Sequence, residues 1–185
     1  MIPMVQVFPL PLSPERLQVV KKSLQQVFRT AGIAHGEYNV ELFFTENDEL
    51  FIIEINARQG GNGIPNTIKK HCGIDFNKML VTTAVGDDSY FYDVFNNEEL
   101  TYRFIARYPI FSDFDGEYKG LYIDPSIEQF VESIDDETLL GTTVSKRENA
   151  DSVICFVDLV FPNQEIQLNV CNKIETLIYP IVKNR

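Results

Sequence analysis

The stretch that decides the reading of this chain is Tyr38-Asn39-Val40-Glu41-Leu42-Phe43-Phe44-Thr45, then Glu46-Asn47-Asp48-Glu49, then Leu50-Phe51-Ile52-Ile53-Glu54-Ile55-Asn56. Two runs rich in β-branched and aromatic residues flank a polar tetrapeptide that tolerates left-handed backbone, which is the signature of an antiparallel hairpin. Continuous pairing across that turn sets Leu42 opposite Ile53, Phe44 opposite Phe51 and Val40 opposite Ile55, an all-apolar face expected to be the core side. The other face carries Asn39, Glu41, Phe43 and Thr45, with Leu50, Ile52, Glu54 and Asn56 as partners. Glu41 then falls opposite Glu54, at ~5 Å between Cβ atoms, and like charges so placed are destabilising. A divalent cation held by both carboxylates, with the Asn56 amide beside them, would remove the repulsion, since hard cations take oxygen ligands. A solvated sheet face on which the two side chains splay apart is the other reading, and the pattern leaves both open.

Downstream, Arg58-Gln59-Gly60-Gly61-Asn62-Gly63-Ile64-Pro65 places three glycines in four residues. Such a loop can turn several N–H groups toward an anion, with Arg58 supplying a bidentate cation. It is neither a Walker loop nor a GxGxxG fingerprint, and it equally suits a turn into a helix over 66–71. Upstream, Ser13-Pro14-Glu15 reads as N-cap, first helical position and first-turn acid, and Leu17, Val20, Leu24, Val27, Phe28 and Ala31 recur at helical spacing before Gly32. Further expectations are a strand over 4–8, a helix over 76–85 capped by Asp75 and closed at Gly86, a connector over 98–100, strands over 101–110, 118–124 and 153–161, and one last helix over 164–177.

Composition narrows the function classes. The 185 residues carry 16 basic and 27 acidic side chains, a formal net charge of −11, which argues against nucleic acid or an anionic membrane as partner. Apolar residues at 44% suit an ordinary folded protein. The first twelve residues hold three prolines and no basic cluster, so neither a signal peptide nor a span is expected. Cys72, Cys155 and Cys171 are odd in number and far apart, which suits reduced core thiols and a cytoplasmic location. His35 and His71 lack partners at ligand spacing. Asp87-Asp88 and Asp135-Asp136-Glu137 read as solvated turns, and Arg103 and Arg107 as parts of a half-exposed strand. No Ser-His-Asp or Cys-His constellation is present, and a carboxylate metal site for hydrolysis lacks a base near Glu41.

Glu41-Leu42-Phe43, then Ile53-Glu54-Ile55-Asn56-Ala57-Arg58, resembles the metal-binding end of the ATP-grasp superfamily, where an acid in a VEF-like strand precedes an EINPR-like motif. Gly60-Gly61 and Gly73-Ile74-Asp75-Phe76 continue the resemblance to carboxylate–amine ligases and to carbamoyl-phosphate-synthase-like and biotin-carboxylase-like members. It covers roughly 32–86, with Ala57 in place of the usual proline. The resemblance implies that Glu41, Glu54 and Asn56 hold one or two Mg²⁺ ions (Mn²⁺ is an alternative) bridging ATP phosphates, with Glu41, Phe43 and Glu54 contacting the nucleotide and Phe43 flooring the adenine. It implies that Arg58 acts catalytically on the carboxylate or the transferring phosphoryl group, and that Arg58, Gly60, Gly61 and Asn62 seat the substrate. The implied chemistry is phosphorylation of a carboxylate to an acyl phosphate, then attack by an amine.

The hairpin begins at residue 38, leaving no space for the earlier half of an ATP-grasp unit with its phosphate-contacting lysines, glycine-rich flap and adenine hinge. The expectation is therefore the C-terminal portion of a larger enzyme, whose partner is the missing N-terminal half and which alone ligates nothing and binds ATP weakly at best. A non-catalytic binding or assembly module that keeps the scaffold is the alternative. The expected fold class is α+β: an antiparallel sheet flanked by helices over 1–95, the C-terminal half of an ATP-grasp domain, plus a smaller mixed α/β subdomain over 96–185.

Overall fold

The computed structural model describes residues 5–97, 100–135 and 138–183. Along the chain run β1 (Gln6–Phe8), α1 (Pro14–Thr30), β2 (Asn39–Phe44), β3 (Leu50–Asn56), α2 (Ile64–Cys72), α3 (Phe76–Ala84), α4 (Ser89–Phe95), β4 (Phe104–Ile110) and β5 (Gly116–Ile123). They are followed by β6 (Val131–Asp135), β7 (Thr143–Val144), β8 (Cys155–Phe161), α5 (Gln164–Cys171), α6 (Ile174–Leu177) and β9 (Ile178–Lys183). Every strand pairing is antiparallel, so the α+β class holds. The chain divides into two compact units, one from Leu10 to Leu100, the other joining residues up to Pro9 to those from Thr101 onward. A linear split at residue 95 groups the first strand with the hairpin, whereas its pairing with β4 groups it with the later residues.

In the unit from Leu10 to Leu100, the capping signals act where they stand. Ser13 Oγ accepts from the Arg16 amide at 3.3 Å to start α1, and Gly32 follows its end with φ 68°. Asp75 caps α3 through the Lys78 amide at 2.9 Å, and Gly86 follows its end. Helix α2 starts earlier than expected, at Ile64, because Gly63 takes left-handed backbone and Pro65 suits the first turn. Helix α4 lies where no periodicity is visible in the sequence. Seven residues carry too little of the 3.6 period, and Ser-Tyr-Phe-Tyr-Asp-Val-Phe has strand-like composition. Its Tyr90 hydroxyl accepts from the Asp75 amide at 2.9 Å, fastening α4 to the start of α3.

The other unit holds the main hydrophobic core. Four strands in the order β1-β4-β8-β6 form one sheet and β7-β5-β9 another. Ala106, Tyr108 and Ile110 of β4 face Val157 and Leu159 of β8 and the helix residues Val170, Ile174 and Leu177. Gln167 of α5, fully buried, donates through Nε2 to Phe8 O at 3.0 Å and Ile105 O at 2.8 Å, clamping β1 to β4. Gly116 opens β5 because a Cβ there would stand 2.6 Å from Lys183 O.

Three expectations are corrected in this unit. The last helix is two, α5 and α6, broken at Asn172-Lys173 and followed by strand β9. Ile166, Val170, Ile174 and Leu177 keep helical spacing straight through the break, so periodicity hides it. Strands β6 and β7, short as they are, lie outside the expected strands. Arg107 does not lie on a half-exposed strand: β4 is the second strand of its sheet and buried on both faces. Its guanidinium pairs with Asp158 at 2.7 Å and Asp135 at 3.0 Å, 4.3 Å above the Phe156 ring. The three cysteines are free and buried, and burial pushes the Cys171 thiol up to about 11. Of the connector over 98–100 and the acidic run 135–137, residues 98, 99, 136 and 137 lie outside the described residues, as does residue 4 of the first strand.

Candidate nucleotide and metal site

The hairpin places its functional side chains through a register with one irregularity. Asn39 pairs with Asn56, Val40 with Ile55 and Glu41 with Glu54. Beyond Glu41 the register shifts, so Leu42 pairs with Ile52, Phe43 with Phe51 and Phe44 with Leu50. Ile53 is the extra residue of a β-bulge. The continuous pairing read from the sequence is therefore wrong for Leu42 to Phe44. The shift exchanges Phe51 and Ile53 for Leu50 and Ile52 on the inner face, which now comprises Val40, Leu42, Phe44, Leu50, Ile52 and Ile55, all half-buried. Helix α1 stands on that side, with the Arg16 guanidinium 4.9 Å above the Phe44 ring and paired with Asp48 of the turn at 2.6 Å.

The outer face gathers Glu41, Glu54, Phe43, Phe51 and Ile53, all exposed. Phe43 and Phe51 stack with ring centroids 5.6 Å apart, an aromatic floor beside the carboxylates that the sequence reading credited to Phe43 alone. Asn56 Nδ2 donates to Glu54 Oε1 at 2.6 Å. That bond fixes the amide so that its oxygen has no partner among the described residues. Two carboxylates and an amide oxygen, without thiolate or imidazole, form a hard-oxygen set suited to Mg²⁺ rather than zinc. No group of three His, Cys, Asp or Glu side chains at metal-holding spacing occurs among the described residues, so a cation here would complete its shell from phosphate and water.

Arg58 follows directly. Its amide donates to Asn56 O at 2.8 Å, bending the chain out of β3, and its exposed guanidinium donates to Gln59 O at 2.8 Å. Gln59, which carries no signal of a role in the sequence, holds the loop: its Nε2 donates to Glu37 Oε2 at 3.1 Å and Phe76 O at 3.2 Å. Partial burial raises the Glu37 carboxyl, and the Gln59 bond opposes that rise. Gly60 packs against Ile64, whose side chain would lie 3.0 Å from a Cβ at that position. Asn62 at φ 53° and Gly63 at φ 73° turn the chain into α2, whose first turn has no side-chain cap. The loop of Gly60, Gly61 and Asn62 thus ends at a helix start with amides to offer an anion. His35 is an exposed loop residue and His71 lies buried in the last turn of α2.

No protein-family model matches the chain, and no curated protein sequence matches it. Solved structures do. An L-amino acid ligase from Bacillus licheniformis superposes with a TM-score of 0.79 at 19% identity, over 100% of this chain and 45% of that one. Phosphoribosylglycinamide synthetase from Anaerococcus prevotii gives 0.76 at 18% identity, over 98% of this chain and 46% of the other. The biotin carboxylase domain of 2-oxoglutarate carboxylase from Hydrogenobacter thermophilus, solved with MgADP, ADP and bicarbonate, gives 0.64 at 15% identity, over 97% and 40%. The chain thus spans under half the length of these enzymes, and at such identities the likeness is one of fold: it has the fold of part of an ATP-grasp enzyme.

Proposed function

We propose that this chain is the C-terminal portion of an ATP-dependent carboxylate–amine ligase of ATP-grasp type, and that its hairpin supplies ligands for Mg–ATP. The observation that carries this reading is the placement of Glu41 opposite Glu54, with Asn56 bonded to Glu54, on an exposed sheet face beside stacked Phe43 and Phe51. Two facing carboxylates repel, and an outer face of three exposed apolar side chains lacks a cover. A metal-bound nucleotide would answer both: phosphates and cation over the carboxylates, base over the rings. The ligands in the biotin carboxylase neighbour, MgADP and bicarbonate, belong to the same chemical classes.

In this reading Glu41, Glu54 and Asn56 hold Mg²⁺, or Mn²⁺ in its place. When bound, the ion neutralises phosphate charge and draws it away from the transferring group. Phe43 and Phe51 floor the adenine. Arg58, just past the strand, orients the acid and offsets charge as its carboxylate attacks the terminal phosphate. Gly60, Gly61 and Asn62 bring backbone amides to the acid. The carboxylate oxygen bonds to the terminal phosphorus as the bond to ADP breaks and ADP leaves. An amine then attacks the acyl carbon, the bond from that carbon to the phosphate oxygen breaks, phosphate leaves, the amine gives up a proton, and an amide bond remains. The rest of the site belongs to the N-terminal half of the enzyme, so the chain alone ligates nothing.

Paramagnetic Mn²⁺–ATP tests this reading, because relaxation enhancement registers even a small bound fraction. Backbone amide signals of Glu41, Glu54, Asn56 and the 58–63 loop should broaden selectively, and Glu54→Ala should abolish the effect, while ADP release with mixed acids and amines stays at the blank rate. Broadening centred elsewhere, or unchanged in Glu54→Ala, contradicts the assignment. No broadening at millimolar Mn²⁺–ATP favours a binding or assembly module that has kept the scaffold alone.

A further inference from the structure

A recess lies in the unit that holds the main core, and no hairpin or glycine-loop residue lines it. It is a cleft of about 180 Å³ between the end of β4, the segment after it and the start of β9, lined by Tyr108, Phe111, Asp113, Arg147, Glu175 and Tyr179 with two prolines. The Arg147 guanidinium lies 4.6 Å above the Phe111 ring, and Tyr179 is braced by stacking on Tyr122 at 4.7 Å.

Tyr108 is the informative residue. The residue as a whole is only 7% exposed, and its hydroxyl, which has no hydrogen-bond partner among the described residues, is not itself sealed off and opens on the cleft the residue lines. A hydroxyl held at the wall of a cleft by a buried ring can donate to whatever occupies that cleft. Burial, then the charge of Glu175, push its pKa up to about 12, with Asp113 adding to the rise and Arg147 opposing it. The hydroxyl therefore remains a proton donor at physiological pH, and both signs of charge act on it.

These groups define what would fit. An inorganic anion meets two carboxylates, Asp113 and Glu175, that repel it. A simple amine satisfies those carboxylates but brings no acceptor to the Tyr108 hydroxyl. A molecule with a carboxylate and an ammonium a few ångströms apart satisfies both sets, its carboxylate on Arg147 and Tyr108 and its ammonium on Glu175 and Asp113. The volume suits a ligand below drug size, and Tyr179 and the prolines offer apolar contact. We propose that this cleft binds the zwitterion of an α-amino acid, apart from the hairpin and independently of the ligase reading.

Titration of the chain with L-leucine, isocaproate and isoamylamine, by calorimetry and saturation-transfer NMR, tests it, since the three share a hydrocarbon body and differ in charge. Leucine should bind with millimolar or tighter affinity and each analogue about tenfold more weakly, the factor expected for one lost charge-assisted contact. Glu175→Gln, at an exposed position, should weaken leucine binding about tenfold without changing the thermal midpoint. Tyr108→Phe should weaken it too, and Arg58→Ala should leave it unchanged. The proposal is overturned if leucine does not bind at tens of millimolar, if isoamylamine binds as tightly, or if Glu175→Gln binds as wild type. Loss of binding in Arg58→Ala with Glu175→Gln unaffected would assign leucine to the glycine loop and overturn it equally.

Discussion

Asp158 offers the sharpest test of how the core-bearing unit is held together. Its side chain is 3% exposed and the Arg107 side chain 7%, and they meet at 2.7 Å in the middle of the four-stranded sheet. Arg107 has a second partner, Asp135, at 3.0 Å, but that carboxylate is 58% exposed, and the Phe156 ring covers one face of the guanidinium. Replacing Asp158 by Asn takes the buried counter-ion from a buried cation and leaves the solvent-screened Asp135 beside it. Breaking a buried pair in this way costs about 3–5 kcal/mol. At roughly 2–4 °C per kcal/mol for a chain of this size, the thermal midpoint of the chain should fall by roughly 6–20 °C. Asp135→Asn removes a mostly exposed charge and should cost no more than ~1 kcal/mol. The double change Arg107→Met with Asp158→Leu removes both charges and refills the space, and should be near neutral or stabilising. Urea and thermal unfolding followed by far-ultraviolet circular dichroism and tyrosine fluorescence would measure all three, the chain having eight Tyr and no Trp. The reasoning fails if Asp158→Asn costs less than ~1 kcal/mol, or if the double variant is as unstable as the single one.

Other consequences concern the hairpin unit. Glu41→Lys turns a repelling cross-strand pair into an attracting one, so the urea midpoint of this unit at low salt should rise by the equivalent of ~0.5–1 kcal/mol while Mn²⁺–ATP broadening disappears; a lower midpoint would show that the carboxylates do not oppose each other. The Asp75 carboxyl is held below its ordinary 3.8, first by Lys69 and then by the Lys78 amide. A depressed carboxylate contributes stability above its unfolded pKa that is lost as pH falls through the folded one, so hydrogen-exchange protection of the Lys78 amide should stay level above about pH 4 and fall below it, whereas a loss already complete at pH 5 would contradict the cap. Deleting Ile53 removes the bulge residue and leaves Leu50, Ile52 and Ile55 facing inward with Phe51 and Glu54 outward. The variant should fold within ~1 kcal/mol of wild type and keep the Phe43–Phe51 ring contact in nuclear Overhauser spectra, and loss of that contact would argue for the continuous register instead.

What the sequence discloses and what it hides divide along physical lines. Caps and breakers act over three or four residues, so Ser13, Asp75, Gly32 and Gly86 could be read correctly without knowing what packs where. The opposition of Glu41 and Glu54 is legible for the same reason, because it lies on the part of the hairpin where alternation is regular. The bulge is not legible. Phe51, Ile52 and Ile53 are consecutive apolar residues, and any of them satisfies an apolar face, so the pattern cannot say which is extra. That one residue decides whether Phe51 faces the core or stands beside Phe43 over the candidate nucleotide site, and so half of the aromatic floor was invisible. Arg107 was misread by a related degeneracy. Alternating charge and aromatic residues describe a half-exposed strand until the partner is known, and Asp158, fifty-one residues away, helps make burial of that charge tolerable. Gln59 lacked any local signal, since its two partners, Glu37 and Phe76, come from segments on either side of it. Residues whose role is set by distant partners are therefore where sequence reasoning fails first, and here they include the amide that holds the glycine loop and the ring that completes the site.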